Sequence, residues 1–408
     1  MDMSALPVIL AAIAAVAIAV LVVRLVIRRR YIGSLKALGW EFQNSPSLEI
    51  TYGLNCPPFG LGFHRDVDDL ITGQTSTGIP FRVFEYGRDR VVAAPLPASL
   101  PEVFISLPGA GRPGVNGEAR MVGPWQVTSS QPGFADAALA ALGPHLDALA
   151  AVGPVNLSVD GAALVASGAP EQAEQLQPFL EGVGRLAAAL APLARDGRFP
   201  GPALPSELSL YRHPGWAYRP ADDRFLSEVT ITQDGYGHEA RDVVLGEVAG
   251  GIRLIALTHH WKTNRTVTTT DADGRTSTHT ETDHHSEPIL EFHLPWAFGD
   301  LSLNGPWTGG KVRFESSDFN DRFTVRCGNP KFAMDVFHPR QLEFILRSDP
   351  LPFVIEGGRL RLSPRASDPE TIEWAAAFVV AFFAGVPRFV WDDLGQPTPP
   401  IDPALAGF

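Results

Sequence analysis

Residues 259–285, HHWKTNRTVTTTDADGRTSTHTETDHH, hold the densest set of metal-capable side chains in this 408-residue chain. Two pairs, His259-His260 and His284-His285, bracket a polar, threonine-rich run, and Glu287 follows shortly after. Imidazole with carboxylate suits zinc or another transition metal. Asp273-Gly274 is a two-residue turn signal, and a hairpin turning there pairs residues whose numbers sum to about 547. Trp261 then faces Ser286, Lys262 faces His285, Thr263 faces His284 and His260 faces Glu287. The four histidines and Glu287 would gather at the base of the hairpin. Neighbouring residues on a strand point to opposite faces, however, so only two or three of the five could share an ion. The preferred reading is a solvated or partner-facing hairpin with a protruding, loosely held tip. Zinc at its base is the weaker alternative, and no catalytic or cofactor-binding residue is assigned.

Other motifs fall short of chemistry. His238-Glu239-Ala240-Arg241-Asp242 begins like the zinc-protease HExxH but lacks the second histidine and sits in a strand-like pattern. Gly109, Gly111 and Gly114 have the GxGxxG spacing of a dinucleotide loop, yet Pro113 and VNGEARMVGP follow where a helix must open. Asp66, Asp68 and Asp69 could form a carboxylate pair, but on a strand Asp69 faces away from the other two. A role beside a hairpin is the simpler reading for Asp69.

Composition sets the outer bounds. A net charge of -12 argues against a nucleic-acid partner, which needs clustered Lys and Arg. Two cysteines, Cys56 and Cys327, point to a reducing compartment rather than a disulfide framework. Residues 6–23, LPVILAAIAAVAIAVLVV, carry no charge, and extension to Ile27 gives a helix of about 33 Å. That length matches the hydrocarbon core of a bilayer. Arg24, Arg28, Arg29, Arg30 and Lys36 follow, so the positive-inside rule places the N-terminus outside and the rest in the cytoplasm. The apolar stretch 371–386 is too short to span and reads as a buried helix.

Self-comparison reveals a duplication. Gly39-Trp40 resembles Gly215-Trp216, and residues 68–86 parallel 241–259, pairing Asp69 with Asp242 and Gly73 with Gly246. VFISLP parallels LEFHLP. Residues 125–142 parallel 323–339, pairing Pro132 with Pro330 and Phe134 with Phe332. Finally VNLSVDGAALVAS parallels PFVIEGGRLRLS. Each copy reads as strands and hairpins followed by helices with apolar three-to-four spacing, an α+β fold with a mainly antiparallel sheet. The expected organisation is a transmembrane anchor with a basic flank (1–30), a first repeat (31–191), a Pro/Gly-rich linker (192–209), a second repeat with the His/Thr-rich insertion (210–386) and a Pro-rich tail (387–408). The order GW, then D-V/L-hydrophobic-x-G-x-x-x-G, then strand-x-LP, then F-x-V…P-x-F-A resembles a family of uncharacterised single-pass membrane proteins of actinobacteria. The resemblance implies a membrane anchor and a cytoplasmic duplicated α+β region, and it carries over no catalytic residue.

These features together predict a membrane-anchored, non-enzymatic cytoplasmic binding or scaffold protein with a protein partner. The alternatives are a metal-dependent enzyme at the hairpin base and a small-ligand sensor with its pocket between the copies.

Overall fold

The computed structural model describes residues 6–106, 117–129, 131–151, 156–270, 276–306 and 309–406, with side chains of the first helix described from Val16 onward. The chain divides into two compact units, Met1–Gly60 with Arg65–Ser206, and Leu61–His64 with Glu207–Phe408. The GxGxxG glycines and the Asp273-Gly274 turn lie outside the described residues.

The first unit opens with α1 (Leu6–Ala37), then β1 (Glu41–Gln43), β2 (Val67–Gln74), β3 (Pro80–Tyr86), β4 (Asp89–Pro95), β5 (Val103–Ser106), β6 (Glu118–Val122) and β7 (Trp125–Ser129). Helix α2 (Pro132–Ala150), β8 (Asn156–Asp160), β9 (Ala163–Ser167) and α3 (Ala173–Asp196) complete it. The second unit runs β10 (Ser209–Leu210), β11 (His213–Ala221), β12 (Tyr236–Val248), β13 (Ile252–Thr270), β14 (Thr276–His293), β15 (Leu301–Leu303) and β16 (Gly310–Val312). It continues through α4 (Ser317–Arg322), β17 (Val325–Cys327), α5 (Pro330–Val336), α6 (Pro339–Ser348), β18 (Phe353–Glu356), β19 (Arg359–Leu362), α7 (Pro369–Ala384) and α8 (Arg388–Asp393).

The strand orders are β1-β2-β3-β4-β9-β8-β5-β7-β6 and β10-β11-β12-β13-β14-β19-β18-β15-β17-β16. Apart from the extra edge strand β10, the second order is the first with every number raised by ten, as an internal repeat requires. Neighbouring strands pair antiparallel in both sheets, which gives the α+β class. The matched residues hold matched roles. Asp69 and Asp242 both sit at φ 51°, each inside a register shift of its strand. Asp tolerates this left-handed conformation better than most residues, which is why it recurs. One pairing needs correction: VFIS is β5, whose counterpart is β15, whereas LEFH ends β14 and matches the end of β4. The Leu-Pro pair equivalent to Leu294-Pro295 is therefore Leu96-Pro97. Leu96 N–H donates to Ala162 O and Leu294 N–H to Gly358 O, each in the turn after the corresponding strand.

One sheet face in the first unit packs under α2 and α3, through Ile71, Val83, Val92, Leu142, Phe179 and Leu186. The other is covered by the segment between β1 and β2, with Phe59 against Phe84 and Tyr86. The second unit repeats this: the segment between β11 and β12 brings Phe225 and Val229 onto Ala240, Val243, Ile255 and Leu257. Helix α7 is the buried helix expected at 371–386, capped by the Asp368 carboxylate, which accepts from Thr371 N–H at 2.8 Å. The expected linker begins inside α3, and the expected tail contains α8, whose Trp391 is fully buried.

Among the described residues no helix is long and apolar enough to cross a membrane. The N-terminal helix is present, but it differs from the expected anchor. It runs unbroken through the basic cluster to Ala37, and its last turns join the first core through Tyr31 and the buried Leu35. Counting from Val16, where its described side chains begin, Arg24, Arg28, Arg29 and Arg30 soon interrupt the apolar run.

Candidate functional site

The site worth building is the base of the β13–β14 hairpin. These strands pair without a slip from Arg253↔His293 to Thr270↔Thr276, so paired numbers sum to 546 rather than 547. The expected register is thus wrong by one residue. A one-residue change re-sorts the faces. His259 pairs with Glu287, His260 with Ser286, Trp261 with His285 and Lys262 with His284. His259, Trp261, His285 and Glu287 therefore share one face, while His260 and His284 lie on the other, near Lys262. The five expected neighbours form two groups.

The first group continues the face that Ile255 and Leu257 occupy beneath the covering segment. That segment runs out at Gln233, whose amide donates to Glu287 Oε2 at 2.6 Å. Gly235 then crosses over the strand. A Cβ there would lie 2.6 Å from Lys262 O and 2.8 Å from the Trp261 ring, so only glycine fits. His238, on β12, faces the fully buried His259 with Nδ1 2.8 Å from His259 Nε2. The other His259 nitrogen lies 3.4 Å from Glu287 Oε1. The chain Glu287–His259–His238 links carboxylate, buried imidazole and half-buried imidazole. Its rings also stack: His238 on His259 at 5.1 Å, His259 on Trp261 at 4.9 Å and Trp261 on His285 at 5.2 Å. Thr263 Oγ1 lies 2.8 Å from His285 Nε2.

Burial pushes His259 below the ordinary imidazole range, against the opposing pull of Glu287. Further in along β14, Glu291 is fully buried. Burial alone would raise its carboxyl, but His293, Thr230 N–H and Arg359 together hold it below the ordinary range. The Glu287–His259–His238 relay can hold or pass a proton and lock the strands in register. Among the described residues no group of three or more His, Cys, Asp or Glu is placed to hold a metal ion. His238 and His259 spend facing nitrogens on each other. Protein dialysed against zinc is expected to retain far less than one ion per chain, measured by atomic absorption. One tightly held ion, lost on His259→Ala or His285→Ala, would reverse this.

The arm begins where this face ends. Strand β12 last pairs at Tyr236↔Lys262, and β19 pairs with β14 only at residues 290–293. Residues 263–270 and 276–283 therefore pair only with each other among the described residues. Side chains reinforce the ladder: Arg265 reaches Glu281 at 2.6 Å and Asp283 at 3.1 Å, and Thr269 meets Ser277 at 2.9 Å. Register is thus held along the whole arm, more firmly than a polar ribbon suggests.

His238 was visible in the sequence only as a failed HExxH, and Trp261 and Gln233 carried no motif. The signal that could have found them is the alternation Ile255, Leu257, His259, Trp261, an apolar face turning aromatic and polar along one strand. Cys56 and Cys327 are free and buried, and burial raises both thiols away from reactivity. Asp69 Oδ1 accepts from Arg28, and Asp242 Oδ1 from the Tyr218 hydroxyl at 2.9 Å, so both serve as braces. No enzymatic site is evident among the described residues.

No family model matches the chain, and no curated protein is similar to it. Among solved structures it is similar to the mycobacterial trehalose monomycolate transport factor A, TtfA, at 17% identity and a TM-score of 0.34. The match covers 43% of this chain and 96% of that one. A likeness at this level carries no function across.

Proposed function

We propose that this chain is a non-enzymatic, membrane-anchored binding protein whose bulk lies in the cytoplasm and whose β13–β14 arm contacts a protein partner. The observation that carries the reading is the arm: paired residues stand beyond both flanking strands, exposed and polar on both faces. A ribbon of this kind buries little apolar surface of its own, so it adds nothing to the core. It offers instead a stiff row of hydroxyls and charges to another surface. Support for the anchor comes from α1. Val16, Ile18, Val20–Val23 and Leu25–Ile27 are 45–64% exposed, and consecutive residues in a helix point in all directions. A helix apolar all round needs a covering medium. The uncharged residues 6–15 preceding these would complete a span.

The test uses the full-length protein in its own cells. A photo-reactive residue at Thr268 or Thr278 is expected to give one discrete cross-linked product. Replacing residues 264–282 by a short turn should abolish the interaction and change stability by about 0.5 kcal/mol or less. Cross-links only from other surfaces, or an unchanged interaction without the arm, would refute the arm's role. The protein should also sediment with membranes through high salt and alkaline carbonate, and a C-terminal reporter active only outside the cytoplasm should stay silent.

A further inference from the structure

The underside of α1 holds a cleft of about 750 Å³ that the arm reading does not use. It lies within the first unit, between the basic part of α1, the strands β2–β4 and the residues that open α3. Two of its lining cations are already engaged. Arg28 donates to Asp69 and Asn44, and Arg90 donates to the Tyr31 hydroxyl at 2.5 Å while lying over that ring. These contacts, with Leu35 buried below, fix α1 as a wall. The remaining charged lining residues are Arg24 and Arg30 on one side and Glu85, Glu171 and Glu174 on the other. All five are exposed, and among the described residues none makes an ion pair. The cleft thus presents both signs of charge, the arginines from α1 and the glutamates from β3 and the opening of α3.

We propose that this cleft binds a zwitterionic phospholipid headgroup carrying a phosphate and a primary ammonium. Arg24 and Arg30 take the phosphate, and Glu171 and Glu174, with Glu85, accept hydrogen bonds from the ammonium. An anionic headgroup would satisfy only the arginines, and a quaternary ammonium has no hydrogens to donate to the carboxylates. The depth is right. A helix crossing from Leu6 to Ile27 covers about 33 Å, which brings Arg24, Arg28 and Arg30 to the headgroup layer. This placement rests on the anchor reading above.

The experiment titrates the full-length protein, in nonionic detergent, with short-chain phosphatidylethanolamine, phosphatidylcholine and phosphatidylglycerol, reading bound lipid by native mass spectrometry. The ethanolamine lipid should bind at least about fivefold more tightly than either of the others. Arg24→Ala with Arg30→Ala should weaken the ethanolamine and glycerol lipids alike. Glu171→Gln with Glu174→Gln should lower the ethanolamine lipid to the choline level and leave the glycerol lipid no weaker. Free phosphoethanolamine should compete poorly; if it matches the lipid, the headgroup chemistry stands and the source is water-soluble. Equal binding of all three lipids, or no loss in the glutamine variant, overturns the proposal. Membrane sedimentation separates this failure from that of the anchor. Selectivity without sedimentation keeps the cleft and removes the anchor, and sedimentation without selectivity does the reverse. All four substituted residues are exposed, and unchanged thermal unfolding will show that the variants fold.

Discussion

Trp216→Ala and Trp40→Ala are each expected to cost roughly 3–5 kcal/mol and to lower the unfolding midpoint of the unit concerned. Both indoles are nearly buried, at 5% and 6% exposure. Each packs over a glycine in the neighbouring strand. A Cβ on Gly246 would come within 2.5 Å of Trp216 Cδ1, and one on Gly73 within 2.5 Å of Trp40 Cδ1. Beyond the glycine, Trp40 meets Phe81 edge-on at 5.2 Å and Trp216 stacks on His213 at 3.9 Å. Gly246→Ala and Gly73→Ala should then destabilise by overpacking, at about 1–3 kcal/mol each. In the double variants Trp216→Ala/Gly246→Ala and Trp40→Ala/Gly73→Ala the two costs should fall short of their sum, because the lost ring vacates the space the new methyl needs. Strict additivity in denaturant titrations, or a tryptophan cost below about 1 kcal/mol, would mean that these pairs do not support the sheets as described.

Acidity should act on the two units in opposite directions. In the first unit the buried Asp160 carboxylate accepts from Asn55 N–H at 2.6 Å and Cys56 N–H at 2.7 Å. Burial outweighs these bonds and pushes its pKa from 3.8 up to about 7. The folded form keeps this proton after the unfolded form has lost it. The contribution is therefore full below about pH 4 and is lost as pH rises to about 7, on the order of 2–4 kcal/mol in all. In the second unit His259 is depressed by burial from its ordinary 6.5. The unfolded form takes up this proton first, so stability present above about pH 6.5 is lost on acidification. Hydrogen exchange resolves the two. Protection of the β8–β9 hairpin should fall from about pH 5 to about pH 7.5 and that of the β13 base should rise, after correction for intrinsic exchange. Asp160→Asn should flatten the first trend and His259→Gln the second. Parallel trends in both segments would contradict these assignments.

What the sequence determined by itself was repetition and its local chemistry. Alternating apolar residues, turn glycines and paired motifs sufficed for two antiparallel α+β copies, for the buried helix at α7 and for a hairpin inserted between the third and fourth strands of the second copy. These features are local, set by side-chain periods of two and of three to four and by backbone conformations that glycine and Asp tolerate. Asp69 and Asp242 illustrate it, since the same residue answers the same left-handed bulge. The tertiary structure decided what depends on register and on distant segments. A register shifted by one residue moved His284 off the face of His259 and brought His285 and Glu287 onto it. His238 joined because β12 pairs with β13, and Gln233 joined because the covering segment ends there. The cleft beneath α1 likewise needed residues from three strands and two helices, drawn from both ends of the first unit's sequence. No spacing rule foretells such a meeting, because sheet order and helix docking are fixed by total burial across the unit rather than by any neighbouring pair of residues.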